Sequence, residues 1–425
     1  MSKVTLRVLV FVAVVTTALG QNLFASAVAV GPSACQPSLV HFSTIQAAVN
    51  AVPINATILV CPGTYPEQVT INAPLTLKGI TDGTGNAAVV TAPSGGMKVN
   101  TTRVSQILTP GRGLAAQILV TATTGVNISN LTVDGTGNGI GDPTCSNPDP
   151  LLAGVYFRVA SGMIKNVATR SQVISPAGCD DRGFGIMVET GGTSASPVPA
   201  SVAITGTTVR SYESVGIAAD DFGVTVTLKG NTIYCARPAS TLLGIQMVGA
   251  TGTVAKNSVT ENGLPASTDI LADASHAVVI SGNNLAAAGN GIVVASDDSI
   301  NGDADSSQVT SNTVVEAQDL TSLQGAVSIC SNNSLVQRNT INSSVVSAIF
   351  VDTCGNTVFT SNNNTIQGNT INEACAGVML NTTTGDSVSA NQFYNVNQTL
   401  LNGSSCSPPL PTAPTRPAGW RATLR

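Results

Sequence analysis

Five charged side chains recur at one place in a repeated unit of this chain. Arg158, Glu189, Asp220, Asp273 and Asp352 each stand four residues after the opening of a short alternating apolar segment, the openings being Gly154, Gly185, Gly216, Asp269 and Ala348. Carboxyls brought close together raise one another's pKa, which can keep one protonated as a general acid. If consecutive units lie side by side as strands, Glu189 and Asp220 are about 5 Å apart, and Asp220 and Asp273, two units apart, roughly 10 Å. Acid and nucleophile or base pairs in glycosidases span roughly 5 to 9.5 Å. Glu189, Asp220 and Asp273 are therefore the candidate catalytic residues. Arg158 could hold a substrate carboxylate, and Tyr156, on the same outward side, could stack on a sugar ring. Asp181 and Arg182, with Asp221, stand where loops could wall a groove.

These residues need a scaffold that stacks them, and the repeat supplies one. The alternating segments open with Gly154, Gly185, Gly216, Gly244, Asp269, Gly291, Ala326, Ala348 and Gly377, followed by Val155, Ile186, Ile217, Ile245, Ile270, Ile292, Val327, Ile349 and Val378. Two positions on come Phe157, Val188, Ala219, Met247, Ala272, Val294, Ile329, Val351 and Leu380. Period two over a short run predicts a strand with one buried face. A second unit, apolar-x-x-Asn-x-apolar, places Asn at 231, 257, 283, 312, 339, 369 and 391, spaced by 22 to 30 residues. From Thr207 onward the two units alternate. No helix-length amphipathic segment intervenes, so a βαβ sheet is excluded. Parallel strands without crossover helices require the chain to wind as a coil, each turn about 4.8 Å from the next. No single coil is stable alone; stacking buries its inner face. The Asn column suits turns and amide stacking between coils, and the opening glycines suit tight bends.

Composition narrows the partners. The chain carries 18 Lys and Arg against 23 Asp and Glu, only 10% of residues are charged, and no Lys/Arg cluster exists along the sequence. That disfavours nucleic acid, which needs clustered cations. Lys3 and Arg7, then the apolar run Val8 to Leu19, then Ala25-Ser26-Ala27, read as a signal peptide over residues 1–27. The apolar run is too short for a membrane span, so the mature chain is expected to carry none. Export makes disulfides plausible for the nine Cys, an odd number; Cys145 could tie to Cys179, and Cys330, Cys354 and Cys375 fall on successive late coils as a staple. With no C-x-x-C pair and two His, no metal site is expected. Two cation readings stay open: calcium bridging the column's carboxylates to a uronate, and a weak cation site at a second acidic loop made by Asp297, Asp298, Asp303 and Asp305.

The amino end differs from the repeats. Phe42 to Val49 places Ile45, Ala48 and Val49 at helical spacing behind a Ser43 or Thr44 cap, predicting a short helix that covers the first coil. Then come Ile58-Leu59-Val60-Cys61-Pro62-Gly63-Thr64-Tyr65, Val69-Thr70-Ile71 and Leu75-Thr76-Leu77-Lys78-Gly79-Ile80. This opening resembles that of pectin-lyase-like β-helix proteins, including pectin methylesterases. The resemblance, with the repeats, covers about residues 40–400. It implies an all-β, single-stranded right-handed parallel β-helix (a solenoid) with a short N-terminal capping helix. The domain plan is a signal peptide at 1–27, the β-helix at 28–402 and a Pro-rich tail at 403–425. Residues 81–125 fit the repeat poorly and read as an irregular coil and loop.

The resemblance does not carry an activity. The Arg-Asp and Trp-Gly-Arg segments of pectin methylesterases are missing, and the single Trp is Trp420, in the tail. Of the polygalacturonase motifs only the two-letter Asp-Asp recurs, at Asp180-Asp181 and Asp220-Asp221; His276 lies between Ser275 and Ala277, not between glycines. The arginine motif of pectate lyases is missing too. The expectation is a secreted protein, extracellular or periplasmic, that binds or processes an extended polysaccharide or cell-surface glycan in lyase or glycosidase fashion. The alternative is a non-catalytic structural or adhesive surface protein.

Overall fold

The computed structural model describes residues 26–83, 85–140, 150–174, 182–235, 242–261, 267–286, 289–315, 325–403 and 406. Apart from one helix these are almost entirely short strands in parallel ladders, in sheets of 14 and 22 strands. Each coil contributes three strands. The coil from residue 200 shows the pattern: Ala200–Thr205 on a first face, Thr208–Tyr212 on a second and Val215–Asp220 on a third. The first faces of successive coils form the 14-stranded sheet. Second and third faces share the larger one, because the late strands Thr340–Val351, Thr370–Leu380 and Gln392–Asn402 run through both. The sequence reading counted two units per repeat; it missed the division of the second and first faces around the Asn turn.

The inward register is as the repeat requires. Val155 pairs with Ile186, Ile186 with Ile217, Ile217 with Ile245, Ile245 with Ile270 and Ile270 with Ile292. The file continues through Val327, Ile349 and Val378, and every member is fully buried in one continuous core. Burying such a side chain contributes roughly 1.5–3 kcal/mol, so each added coil extends the core without enlarging its section.

Two turn devices lock this register. Asn257 Oδ1 accepts from the Asn231 backbone N–H at 2.9 Å and from its side-chain amide at 3.0 Å, while Asn257 Nδ2 donates to the Leu228 carbonyl at 3.0 Å. The same rung repeats through Asn283, Asn312, Asn339, Asn369 and Asn391. The left-handed backbone belongs to the residue before each Asn, as at Gly230 (φ 65) and Lys256 (φ 56), not to Asn itself. The opening glycines serve close approach and not a bend: a Cβ at Gly216 would lie 2.6 Å from the Gly244 carbonyl oxygen.

The helix (α1) spans Ile45–Ala51, with Thr44 Oγ1 accepting from Ala47 N at 3.1 Å and Ile45 and Ala48 packed into the core. The Glu67 carboxylate also accepts from Ile45 N and Gln46 N, at 2.7 and 2.9 Å, where the helix dipole favours an anion. Disulfides join Cys35 to Cys61, Cys330 to Cys354 and Cys375 to Cys406. The late staple therefore takes Cys330 and Cys354 but sends Cys375 to Cys406. Cys145, Cys179 and the segment before residue 26, where a signal peptide is expected, lie outside the described residues.

Candidate functional site

The outward column of the third face exists in register. Arg158 pairs with Glu189, Asp220 with Val248, and Val248 with Asp273. Its chemistry differs from the solvent-facing row that the sequence suggested. Glu189, Asp220, Asp221 and Tyr156 are all fully buried. The cover is the segment after Ala88–Thr91, which leaves the coil, pairs antiparallel through Thr101–Thr102 against Gly113–Thr121, and folds across the third face.

Arg103, on that strap, reaches between the carboxylates. Its Nε donates to Glu189 Oε1 at 2.7 Å and an Nη to Asp220 Oδ2 at 3.3 Å, with the guanidinium over the Phe184 ring at 5.9 Å. Tyr156 Oη donates to Glu189 Oε2 at 2.8 Å, and Gln246 Nε2 to Asp220 Oδ1 at 3.0 Å. Ser105 Oγ donates to Asp221, whose other oxygen accepts from the Thr190 and Gly191 amides at 2.9 and 2.7 Å. Every member is hydrogen-bonded, which is what makes a buried charge cluster tolerable.

Burial governs the protonation of this cluster. Burial pushes Glu189 and Asp220 above the ordinary carboxylate range; Arg103 pulls both down, while Asp221 pushes them up. Burial opposes the charge on Arg103, and the two carboxylates more than offset it, so its pKa stands above the usual value. Burial, then Glu189, raises the Tyr156 phenol, keeping it a donor. Arg103 is thus the cation that meets the carboxylates, where the sequence proposed Arg158; Arg158 instead donates to the Thr102 carbonyl at 3.2 Å and so also holds the strap. Tyr156 has no free ring face for a sugar. Arg182 is buried as well, and Asp181 lies outside the described residues.

Asp273 is different. It is half-buried, two coils along from Asp220, and its pKa is pushed up to about 7, chiefly by burial and then by Asp297. Asp273 closes the strand Thr268–Asp273 in the column, where its neighbour is Ala295, and Asp297 stands beside it from the turn after Asn290–Ala295. His276, close by in sequence, is exposed and hydrogen-bonded to Asp303.

The acidic loop is already engaged. Asp298 accepts from the Thr357, Val358 and Phe359 amides, which hold its carboxyl below the usual range. Asp305 accepts from Asn332 N at 2.7 Å, and Asp297 from Ser299 N at 2.7 Å. Among the described residues no group of three or more His, Cys, Asp or Glu could hold a metal ion.

Sequence reasoning missed Arg103, Ser105 and Gln246. The signal for the first two was the break in the repeat at residues 81–125, since a segment that leaves the coil must lie over some face. Gln246 was legible as an outward position two residues before Val248, in the neighbouring column that carries Tyr156, Met187 and Ala218.

Residues 184–363 match the family described as right handed beta helix region. No curated protein matches the chain in sequence. Among solved structures, the A-module of an Azotobacter vinelandii mannuronan C-5 epimerase is similar, at 14% identity and TM-score 0.55, over 85% of this chain and 93% of that one. The Dettilon tailspike protein is similar at 14% identity and TM-score 0.51, over 80% of this chain; this chain spans 62% of the tailspike's length. At that identity the likeness speaks to fold. The chain has the fold of a right-handed parallel β-helix.

Proposed function

We propose that this protein is exported and binds or processes an extended polysaccharide along the outward column of its third face, with Asp273 as the acid–base group. The observation that carries this reading is Asp273 itself: a half-buried carboxyl at about pKa 7 beside Asp297, in a column that runs along the rod. A group with that pKa can give or take a proton at neutral pH. Two similar folds, one acting on mannuronan and one a tailspike, support a glycan as the partner. Three disulfides among the described residues support an oxidising compartment.

In this reading Glu189 and Asp220 do not touch substrate. They position the strap that borders the binding face, with Asp221 and Tyr156, and Arg158 holds the strap's edge. Helix α1 covers the amino-terminal coil, residues 1–27 are removed on export and 403–425 form a tail. The sealing of Glu189 and Asp220 favours a second reading, in which the face binds glycan without turnover. One experiment separates them. A panel of uronate-containing and neutral polysaccharides is assayed for unsaturated, reducing-end and epimerised products with wild type and Asp273→Asn. Product from wild type, lost by a hundredfold or more in Asp273→Asn, supports catalysis. Binding without product assigns the adhesive reading, and neither binding nor product with any polymer would refute both.

A further inference from the structure

The whole chain has six lysines, and three of them stand in one line on the first face. Leu75–Gly79, Val126–Ser129, Gly162–Lys165, Ala200–Thr205, Val224–Lys229 and Thr251–Ala255 are consecutive strands there. Their register places Lys78 beside Ser129, Ser129 beside Lys165, Lys165 beside Thr205 and Thr205 beside Lys229. Lysine thus recurs at every second coil, a step of roughly 9.6 Å. All three side chains are exposed. A fourth, Lys256, also exposed, follows Ala255, the residue that pairs with Lys229. No described strand of the first face contains an Asp or Glu, although the protein is net negative by 5 charges.

We infer that the first face is a docking strip for an extended acidic polysaccharide, laid along the helix axis with its carboxylates against Lys78, Lys165 and Lys229. The spacing argues for this partner. A sugar in an extended 1→4-linked uronate chain advances about as far as one coil, so alternate sugars meet successive lysines. The adjacent outward column runs Thr76, Asn127, Met163, Ala203, Thr227 and Thr253, offering polar groups to the ring hydroxyls at its two ends and apolar Met163 and Ala203 to the sugar's carbon face between them. None of the large exposed apolar side chains lies on these strands, so nothing there would enter a bilayer. Nor do these six strands carry an aromatic residue, so there is no platform for stacking bases. A single file of cations in an otherwise negative molecule favours a single anionic chain. The strip lies on a different face from Asp273 and stands apart from the chemistry there.

The test measures affinity of the full chain for a size-fractionated oligogalacturonate by surface plasmon resonance. Exposed ion pairs are individually weak, so the Lys78→Gln/Lys165→Gln/Lys229→Gln variant should bind roughly tenfold more weakly. The corresponding triple Arg variant should bind as wild type, as should Lys98→Gln, which removes a lysine elsewhere. Salt at about 1 M, where the screening length is about 3 Å, should erase the difference. Asp273→Asn should keep full affinity while failing in turnover, so loss of the strip and loss of the acid–base site are distinguishable. Wild-type affinity in the triple Gln variant would overturn the inference. So would lysine-dependent binding to phosphatidylglycerol vesicles or duplex DNA that equals or exceeds binding to the oligogalacturonate.

Discussion

Arg103→Met should release the strap from the third face. In the folded chain this guanidinium is the cation between Glu189 and Asp220, both fully buried. Removing one partner of a buried ion pair costs about 3–5 kcal/mol, because the charge left behind is uncompensated. Here two carboxylates are left, and Asp221 adds a third negative group nearby. Taking the lower bound of about 3 kcal/mol, opening of the strap should become more frequent by roughly a hundredfold. The reporter is local: Arg103 N donates to the Arg112 carbonyl at 2.8 Å, and Gly111 N to the Arg103 carbonyl at 3.1 Å. Hydrogen exchange at pH 7, read by mass spectrometry on peptides spanning 97–113, should show that acceleration while the first-face strands keep their protection. The effect should shrink toward pH 4, where the carboxyls take up protons and the cation is no longer needed. Adding Glu189→Gln and Asp220→Asn should restore most of the protection. Wild-type exchange in Arg103→Met, or a triple variant as loose as the single one, would refute the reasoning.

Two further outcomes follow from the rungs and from the raised carboxyl. Asn283→Ala removes the partner of the Asn257 amides and leaves the Val254 carbonyl buried without its donor; chemical denaturation should show a loss of about 2–4 kcal/mol, and Asn391→Ala, at the half-buried last rung, a smaller one. Asp273 has a folded-state pKa near 7 against an ordinary value of 3.8, so its contribution is fully present below pH 3.8 and is lost as pH rises to about 7. Asp273→Asn should therefore leave stability unchanged at pH 3.5 and raise it by roughly 1–3 kcal/mol at pH 8, after allowance for its partial exposure; equal stability of the two proteins across that range would contradict the raised pKa.

Much of the architecture was legible because it is periodic. The inward files from Val155 to Val378 and the Asn positions recur at intervals short enough to be seen as a pattern, and period two fixes which side of a strand is buried. Register then followed, since a slip by one residue would turn Ile217 or Ile245 outward. The role of Asn was only half legible. Composition at a turn suggests a left-handed backbone, but the structure gives that conformation to the preceding residue and uses Asn as a donor and acceptor between coils.

The candidate site was less legible, for a physical reason. A periodic pattern says which side chains point out; it does not say what lies over them. Glu189 and Asp220 were placed correctly in the column, yet their surroundings depend on residues 92–112, a non-repeating excursion whose path no periodicity encodes. The lysine file illustrates the converse. Lys78, Lys165 and Lys229 are 87 and 64 residues apart, so along the sequence no basic cluster exists, and only the register of the first face brings them into line.

The column and the lysine file both require successive coils to lie in register, and engineered disulfides test that directly. Thr227 pairs with Thr253 on the first face, within the Cα separation of roughly 4.4–6.8 Å that a disulfide accepts. Under mild oxidation Thr227→Cys/Thr253→Cys should form an intramolecular cross-link, mapped by peptide mass spectrometry. Thr227→Cys/Ala255→Cys, shifted by two residues on the same face, should not. Equal cross-linking of both pairs, or cross-linking of the shifted pair alone, would show that the coils do not stack as described.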